Sequence, residues 1–245
     1  MNIHVYENTE EMGRRGAAQI AEKLRKAIAE RGEARLLLST GASQFETITA
    51  LTKEDVDWRK VTMFHLDEYV ELPESHKASF RRYLKERFVN LVPLKEAVFV
   101  NGEGDVKANI TYLTERIKEQ PIDVGVIGIG ENGHIAFNDP PADFETEESY
   151  LIVNLDQCCK QQQVGEGWFA TEDDVPRQAI SMSVRQIMAC RSIVSMVPHK
   201  VKAEAVANTL SREITNLVPA TILKTHEDWS LYLDADSASG FMKLS

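Results

Sequence analysis

Apolar residues recur along the chain in short runs separated by longer amphipathic stretches, and the two patterns predict strands and helices in turn. Ile3 to Tyr6 alternates as a short strand does. From Thr9 an apolar stripe of Met12, Ala17, Ile20, Ala21, Leu24 and Ile28 recurs at helical spacing, and Gly32 ends it. Leu36-Leu37-Leu38 is too short for a helix and leads through the polar turn Ser39-Thr40-Gly41-Ala42-Ser43 into a helical stretch from Gln44 to Leu51. The grammar repeats, with strands at Val61 to Leu66, Val98 to Val100 and Val124 to Ile129, and helices at Ser79 to Leu91 and Val106 to Glu119. Gly130 to about Arg177 reads as irregular. Ser192 to Val197 then reads as a strand, Val201 to Leu210 as a helix, and Leu231 to Leu233 as a final strand.

Strands alternating with helices imply an α/β fold whose mostly parallel sheet carries helices on both faces. Nothing rich in proline, glycine or serine divides the 245 residues, so residues 1–245 are expected to form a single domain. The 28 Lys and Arg against 38 Asp and Glu leave a net charge of −10, which argues against sequence-independent binding to nucleic acid or to an anionic membrane. A small anion remains compatible with that charge, because its contacts lie within a Debye length of about 8 Å. Cys158, Cys159 and Cys190 have no spacing that forms a metal knuckle or a disulfide framework, and they read as reduced thiols. Met1 to Tyr6 lacks a basic region followed by an apolar stretch, and no apolar run is long enough to span a bilayer. The expectation is a cytoplasmic protein.

Ligands of parallel α/β sheets collect at the carboxyl ends of strands, which directs attention to the loops after Leu38, Leu66, Ile129 and Val197. In the first, Thr40, Gly41, Ala42 and Ser43 precede a helix N-terminus, where free N–H groups suit a phosphate; an ordinary turn with Ser43 as helix cap fits equally. In the second, an apolar strand runs into Asp67-Glu68-Tyr69. A carboxylate against apolar walls has a raised pKa and suits proton transfer at carbon, while adjacent side chains diverge, so one acid can be catalytic without a dyad. The alternative is that both cap the next segment or pair with Arg81 or Arg82. The third, Gly128-Ile129-Gly130-Glu131-Asn132-Gly133-His134-Ile135-Ala136-Phe137-Asn138-Asp139-Pro140-Pro141, clusters Asn132, His134 and Asp139, with a group that titrates near neutrality. His134 is either a proton carrier or a core histidine bonded to Asp139. A dinucleotide fingerprint fails here, since the glycines do not open a helix near the start of a βαβ unit. The fourth brings Lys200 and Lys202 to a strand end, as a phosphate clamp or as solvated surface.

Together the segments Thr40-Gly41-Ala42-Ser43, Asp67-Glu68-Tyr69 and Asn132-Gly133-His134-Ile135-Ala136-Phe137-Asn138-Asp139-Pro140 resemble the glucosamine-6-phosphate deaminase family over nearly the whole chain. The resemblance implies a modified Rossmann-like fold, shared with 6-phosphogluconolactonases and ribose-5-phosphate isomerases, and no metal or organic cofactor. By position Asp67 matches the base that moves a proton between carbon 2 and carbon 1. His134 matches the histidine that assists ring opening, Asp139 the carboxylate that orients it, and Lys202 a phosphate-binding lysine. The backbone of Gly41 to Ser43 would hold the same phosphate. Asn132 stands where aspartate is frequent, Asp139 where glutamate is usual, and no arginine aligns around Gln161-Gln162-Gln163 to close on the phosphate. The implied partner is a small sugar phosphate, and the resemblance allows a homo-oligomer.

The neighbouring lactonases typically carry Asp-Glu-Arg and Asp-Gly-His-Thr-Ala-Ser where this chain has Asp67-Glu68-Tyr69 and Asn132 to Phe137. A deaminase for the galactosamine epimer and a non-catalytic sugar-phosphate sensor are the other readings; the acidic charge and the lack of a helix-turn-helix extension argue against a regulator. Residues 143–175, containing Gly165-Glu166-Gly167-Trp168-Phe169, are expected to form a lid or a partner contact.

Overall fold

The computed structural model describes residues 1–241. Its main sheet has seven parallel strands in the order β1-β10-β9-β6-β2-β3-β5. These are β1 (Asn2–Tyr6), β2 (Ala34–Leu38), β3 (Val61–His65), β5 (Glu96–Val98), β6 (Val124–Val126), β9 (Ile193–Met196) and β10 (Trp229–Asp234). The central strands are near-continuous apolar runs because both faces are covered. In β2, Leu36 and Leu38 pack with α1 (Thr9–Arg31) and α2 (Phe45–Leu51), while Leu37 faces the side occupied by α4 (Val106–Lys118), α6 (Val184–Met188) and α7 (Ala203–Ser211). The helix α1 is capped as its sequence dictates: the Asn8 side chain accepts from Glu11 N–H, and Gly32 closes the far end in the left-handed conformation at φ 83°.

From β2 the chain winds outward through β3 to β5, then returns to the other side of β2 and winds through β6, β9 and β10. The reversal between β2 and β6 sends the loops that follow them to opposite sides and opens a crevice between.

A second, antiparallel sheet of order β4-β8-β7 lies outside the expected pattern. Its strands are β4 (Asp67–Tyr69), β8 (Gln178–Met182) and β7 (Tyr150–Asn154), with Asp67 opposite Ser181 and Leu151 opposite Ser181 on the other side. Leu66 alone separates β3 from β4, so the chain crosses from one sheet to the other in a single residue. The stretch read as irregular therefore contains β7 and the helix α5 (Gln157–Gly165). Neither is a local event: β7 pairs with β8 and buries Tyr150 in the main core, and α5 lies in a separate cluster with Tyr69, Phe80, Phe137 and Phe169. Two boundaries also move. The strand expected at Val98 to Val100 is β5, two residues earlier, in register with β3 through Thr62 opposite Glu96. The helix expected from Ser79 to Leu91 is α3 (Phe80–Leu84), which widens into a π-helical turn over Lys85–Val89. A short helix, α8 (Ala235–Ala238), follows β10.

Glu68 joins β4 to α3. It is fully buried, and its carboxylate accepts from the N–H groups of Tyr69, Phe80 and Arg81, from the Ser79 hydroxyl at 2.9 Å, and from Arg81 Nε at 3.3 Å. The expectation that this acid caps the next segment and pairs with Arg81 holds for Glu68. Replacing it with alanine removes the acceptor of the Tyr69, Phe80 and Arg81 N–H groups and of the Ser79 hydroxyl, while the Arg81 guanidinium keeps Glu103, Asn101 and the Leu72 carbonyl, so Glu68→Ala should lower the stability measured by denaturant unfolding by about 3–5 kcal/mol. A loss below about 1 kcal/mol would show that water takes over those donors.

Candidate active site

The loops after β2, β3, β6 and β9 meet in one pocket over the crevice, which encloses about 620 Å³ of space, part of it open to solvent. Ser39 to Gln44 form one wall. Gly41 has φ 99°, in the region that favours glycine, and an added Cβ there would meet nothing within 4 Å, so its demand is conformational. The turn continues into α2 through a 3₁₀ turn at Ala42–Gln44. Tyr83 donates from its hydroxyl to the Gly41 carbonyl at 3.0 Å, and buried Gln44 donates from its side-chain amide to the Met196 carbonyl at 3.2 Å. These contacts hold the wall from behind. Thr40, Gly41, Ala42 and Ser43 all line the pocket, with N–H groups at the start of a helix available to an anion.

Lys202 enters from a 3₁₀ turn, Lys200–Lys202, ahead of α7. It is only 4% exposed and lines the same pocket. Burial lowers its pKa, opposed by the charges of Glu166 and then Glu131. Lys200 points elsewhere, to the Ser239 hydroxyl at 2.5 Å. Of the two lysines, one is at the site.

Asp67 lines the pocket and is 6% exposed. Among the described residues its carboxylate receives no side-chain or backbone hydrogen bond, in contrast to its neighbour Glu68. Burial, with the adjacent Glu68 carboxylate second, pushes its pKa up to about 8. The two acids have thus separated into different surroundings.

His134 faces Asp67's pocket from the β6 loop. Its Nδ1 lies 3.0 Å from Oδ1 of Asp139, a close but poorly aligned contact. Asn132 fixes both partners: its amide donates to Asp139 Oδ1 at 3.1 Å and its oxygen accepts from His134 N–H at 3.0 Å. Burial raises the Asp139 carboxyl, but the His134 ring and the Asn132 amide outweigh it and leave its pKa below the ordinary carboxylate value. Asp139 and Asn132 do not line the main pocket; they stand behind the histidine, and Asn132 borders an adjoining cleft. The ring lies flat against Gly130, where a Cβ would sit 2.2 Å from ring atoms.

Residues 157–168 supply pocket residues that no sequence motif marks. Gln162, Gln163, Glu166 and Trp168 line the pocket from α5 and the turn after it. Tyr69 donates to Gln163 Oε1 at 2.6 Å, tying α5 to the strand that carries Asp67. The signal for the helix was present: Asp156 caps α5 by accepting from Cys159 N–H, and positions 162, 163 and 166 then share one helical face. Phe80 and Phe137 complete the apolar wall. Among the described residues no group of His, Cys, Asp and Glu side chains is placed to hold a metal, and no helix is long and apolar enough to cross a membrane.

An acid with a raised pKa and a histidine share a pocket at the switch-point crevice of a parallel sheet, beside a helix start with free N–H groups, which is the layout of an enzyme site. The chain belongs to the glucosamine-6-phosphate isomerases/6-phosphogluconolactonase family, whose model it matches over residues 7–231. It is 35% identical over 240 residues to a glucosamine-6-phosphate deaminase of Streptococcus suis, covering 98% of this chain and 99% of that one. It is 33% identical over 222 residues to the deaminase of Streptococcus pneumoniae serotype 4, covering 90% and 94%. A solved monomeric glucosamine-6-phosphate deaminase superimposes with a TM-score of 0.90 at 27% identity, over 98% of this chain and all (100%) of that one. A putative 6-phosphogluconolactonase from Neisseria gonorrhoeae shares the fold, with a TM-score of 0.76 at 20% identity over 96% and 99%.

Because the His134 ring rests on Gly130, a methyl there must displace it. Gly130→Ala should lower turnover by about 10²-fold in steady-state kinetics. Turnover at the wild-type rate would mean the ring's present position is not the working one.

Proposed function

We propose that the chain converts glucosamine 6-phosphate to fructose 6-phosphate and ammonia, an aldose–ketose isomerisation coupled to deamination, in the breakdown of N-acetylglucosamine-derived amino sugars in the cytoplasm. The observation that carries the reading is Asp67: a buried carboxylate without hydrogen bonds, facing a pocket that also holds His134 and an anion-binding loop. Family membership and the deaminase relatives support the substrate.

In this reading His134, oriented by Asp139 and Asn132, shuttles the proton that opens the pyranose ring and exposes the aldehyde. Asp67 removes the proton on carbon 2 and returns it to carbon 1. The resulting imine at carbon 2 is hydrolysed by water, which releases ammonia. One carboxylate serves both carbons because they are adjacent, and apolar walls keep its proton from exchanging freely. Thr40 to Ser43 and Lys202 hold the phosphate, and α5 closes the pocket as a lid through Tyr69 and Gln163. No metal or organic cofactor takes part.

Ammonia release and fructose 6-phosphate formation from glucosamine 6-phosphate test the proposal, run beside galactosamine 6-phosphate and 6-phosphogluconolactone. Turnover of the first is expected. Turnover of only the epimer would move the substrate, and lactone hydrolysis alone would move the reaction.

Asp67 must be ionised in the free enzyme to take a proton, so kcat/KM should rise with pH up to about 8. The same raised pKa bears on stability. The folded state keeps this proton to a higher pH than the unfolded chain does, so the group's contribution is intact below pH 3.8 and falls as pH rises toward about 8. Asp67→Asn should therefore cut kcat by about 10²- to 10⁴-fold while raising the melting temperature at pH 8 by at least about 2–4 °C, with the gain vanishing near pH 4. A variant that loses activity and is also less stable at pH 8 would show that Asp67 holds the fold together.

A further inference from the structure

The phosphate end of the pocket contains a carboxylate. Glu166, on the lid segment, lines both the main pocket and the adjoining cleft, as do Ala42, Ser43 and Lys202, so it stands at the end assigned above to the phosphate. It is not a loose side chain. Its Oε1 accepts from Gln162 Nε2 at 2.8 Å and its Oε2 from Trp168 Nε1 at 3.0 Å, so the lid's own residues hold the charge in place. Each oxygen keeps a second lone pair for another donor. Of the charges acting on Lys202, which is buried to 4% exposure, that of Glu166 is the largest.

A fixed carboxylate repels a dianion. It accepts a hydrogen bond, however, from a phosphate that has kept one proton, because the P–OH group of a monoester monoanion is a donor and the remaining oxygens still face Lys202 and the loop N–H groups. A phosphate monoester carries that proton below its second pKa of about 6, and a sulfate ester or free sulfate has none near neutrality. We propose that Glu166 is a specificity-determining residue that makes the anion end select a singly protonated phosphate over dianionic phosphate and over sulfate. The proposal rests on the reading of Thr40 to Ser43 and Lys202 as the phosphate site.

Other titratable groups face this end: Lys202 and His199 from the β9–α7 segment, Glu131 and His134 from the β6 loop, and Asp67 from β4, while Tyr69 and Cys159 line neither space but sense the charge of Glu166 from behind. Asp67 ionises over the range in which phosphate loses its second proton, so phosphate affinity alone would not separate the two. Sulfate separates them. It meets the same background charges with no proton to donate, and the ratio of phosphate to sulfate binding isolates the P–OH contact.

The test is calorimetric titration of the purified chain with methyl phosphate, a monoester whose dianion has no proton, and with sulfate at pH 5.5 and pH 8, for wild type and Glu166→Gln. For wild type at pH 5.5, methyl phosphate is expected to bind about 10- to 100-fold more tightly than sulfate, the range of a hydrogen bond to a charged group, and the ratio is expected to collapse by pH 8. In Glu166→Gln, sulfate binding should strengthen and the ratio should approach one at both pH values. Equal binding of the two ions by wild type at pH 5.5, or a ratio unchanged by the substitution, would overturn the proposal. The wild-type comparison stands if the variant does not fold. Neither overturning result touches the deaminase reading, which depends on ammonia release from glucosamine 6-phosphate.

Discussion

Glu68 takes the hydrogen bonds that Asp67 goes without, and the site is built on that division. The crossing from the parallel sheet into β4 happens within one residue, so two adjacent acids enter the protein interior with their side chains on opposite sides of an extended segment. Glu68 meets the N-terminus of α3, the Ser79 hydroxyl and Arg81. Asp67 meets the pocket and, among the described residues, no donor, and burial holds its proton to about pH 8. A strained or desolvated group of this kind persists only where its surroundings are over-determined, and the Glu68 network provides that rigidity. One acid is tied into the fold and the other is left facing the pocket.

The rest of the pocket follows the same logic of support from behind. Tyr83 and Gln44 fix the anion loop through backbone carbonyls, Asn132 and Asp139 fix His134, and Gly130 leaves room for its ring. These groups act through others, and they come from elements far apart in the chain. The helix α5 is joined to β4, the strand that carries Asp67, by the bond from Tyr69 to Gln163.

Much of this was legible in the sequence where the signal is local. The parallel strands β2, β3 and β9 stand out as apolar runs bounded by polar turns, α1 has its cap and its closing glycine, and the four strand-end loops could be placed at one edge of a sheet from the order of elements alone. Of the expected site residues, Thr40, Gly41, Ala42, Ser43, Asp67, His134 and Lys202 line one pocket, with Asn132 and Asp139 behind the histidine. The second sheet was not legible. Its shortest strand consists of the Asp-Glu-Tyr segment, whose acids argue against a strand, and β8 joins that segment to β7 across more than eighty residues of chain. The helix α5 is hidden for a related reason: a polar run of glutamines has little amphipathic pattern, and no local signal marks Glu166 as a pocket residue.

The central claim, that one buried carboxylate carries a proton between two adjacent carbons, is tested most directly with glucosamine 6-phosphate deuterated at carbon 2. The fructose 6-phosphate formed should contain deuterium at carbon 1, in one of its two stereochemical positions, in a fraction of turnovers that grows when the single-turnover reaction is fast relative to exchange with water. Deuterium lost completely to solvent, or scattered equally over both positions at carbon 1, would contradict a single shielded base at Asp67.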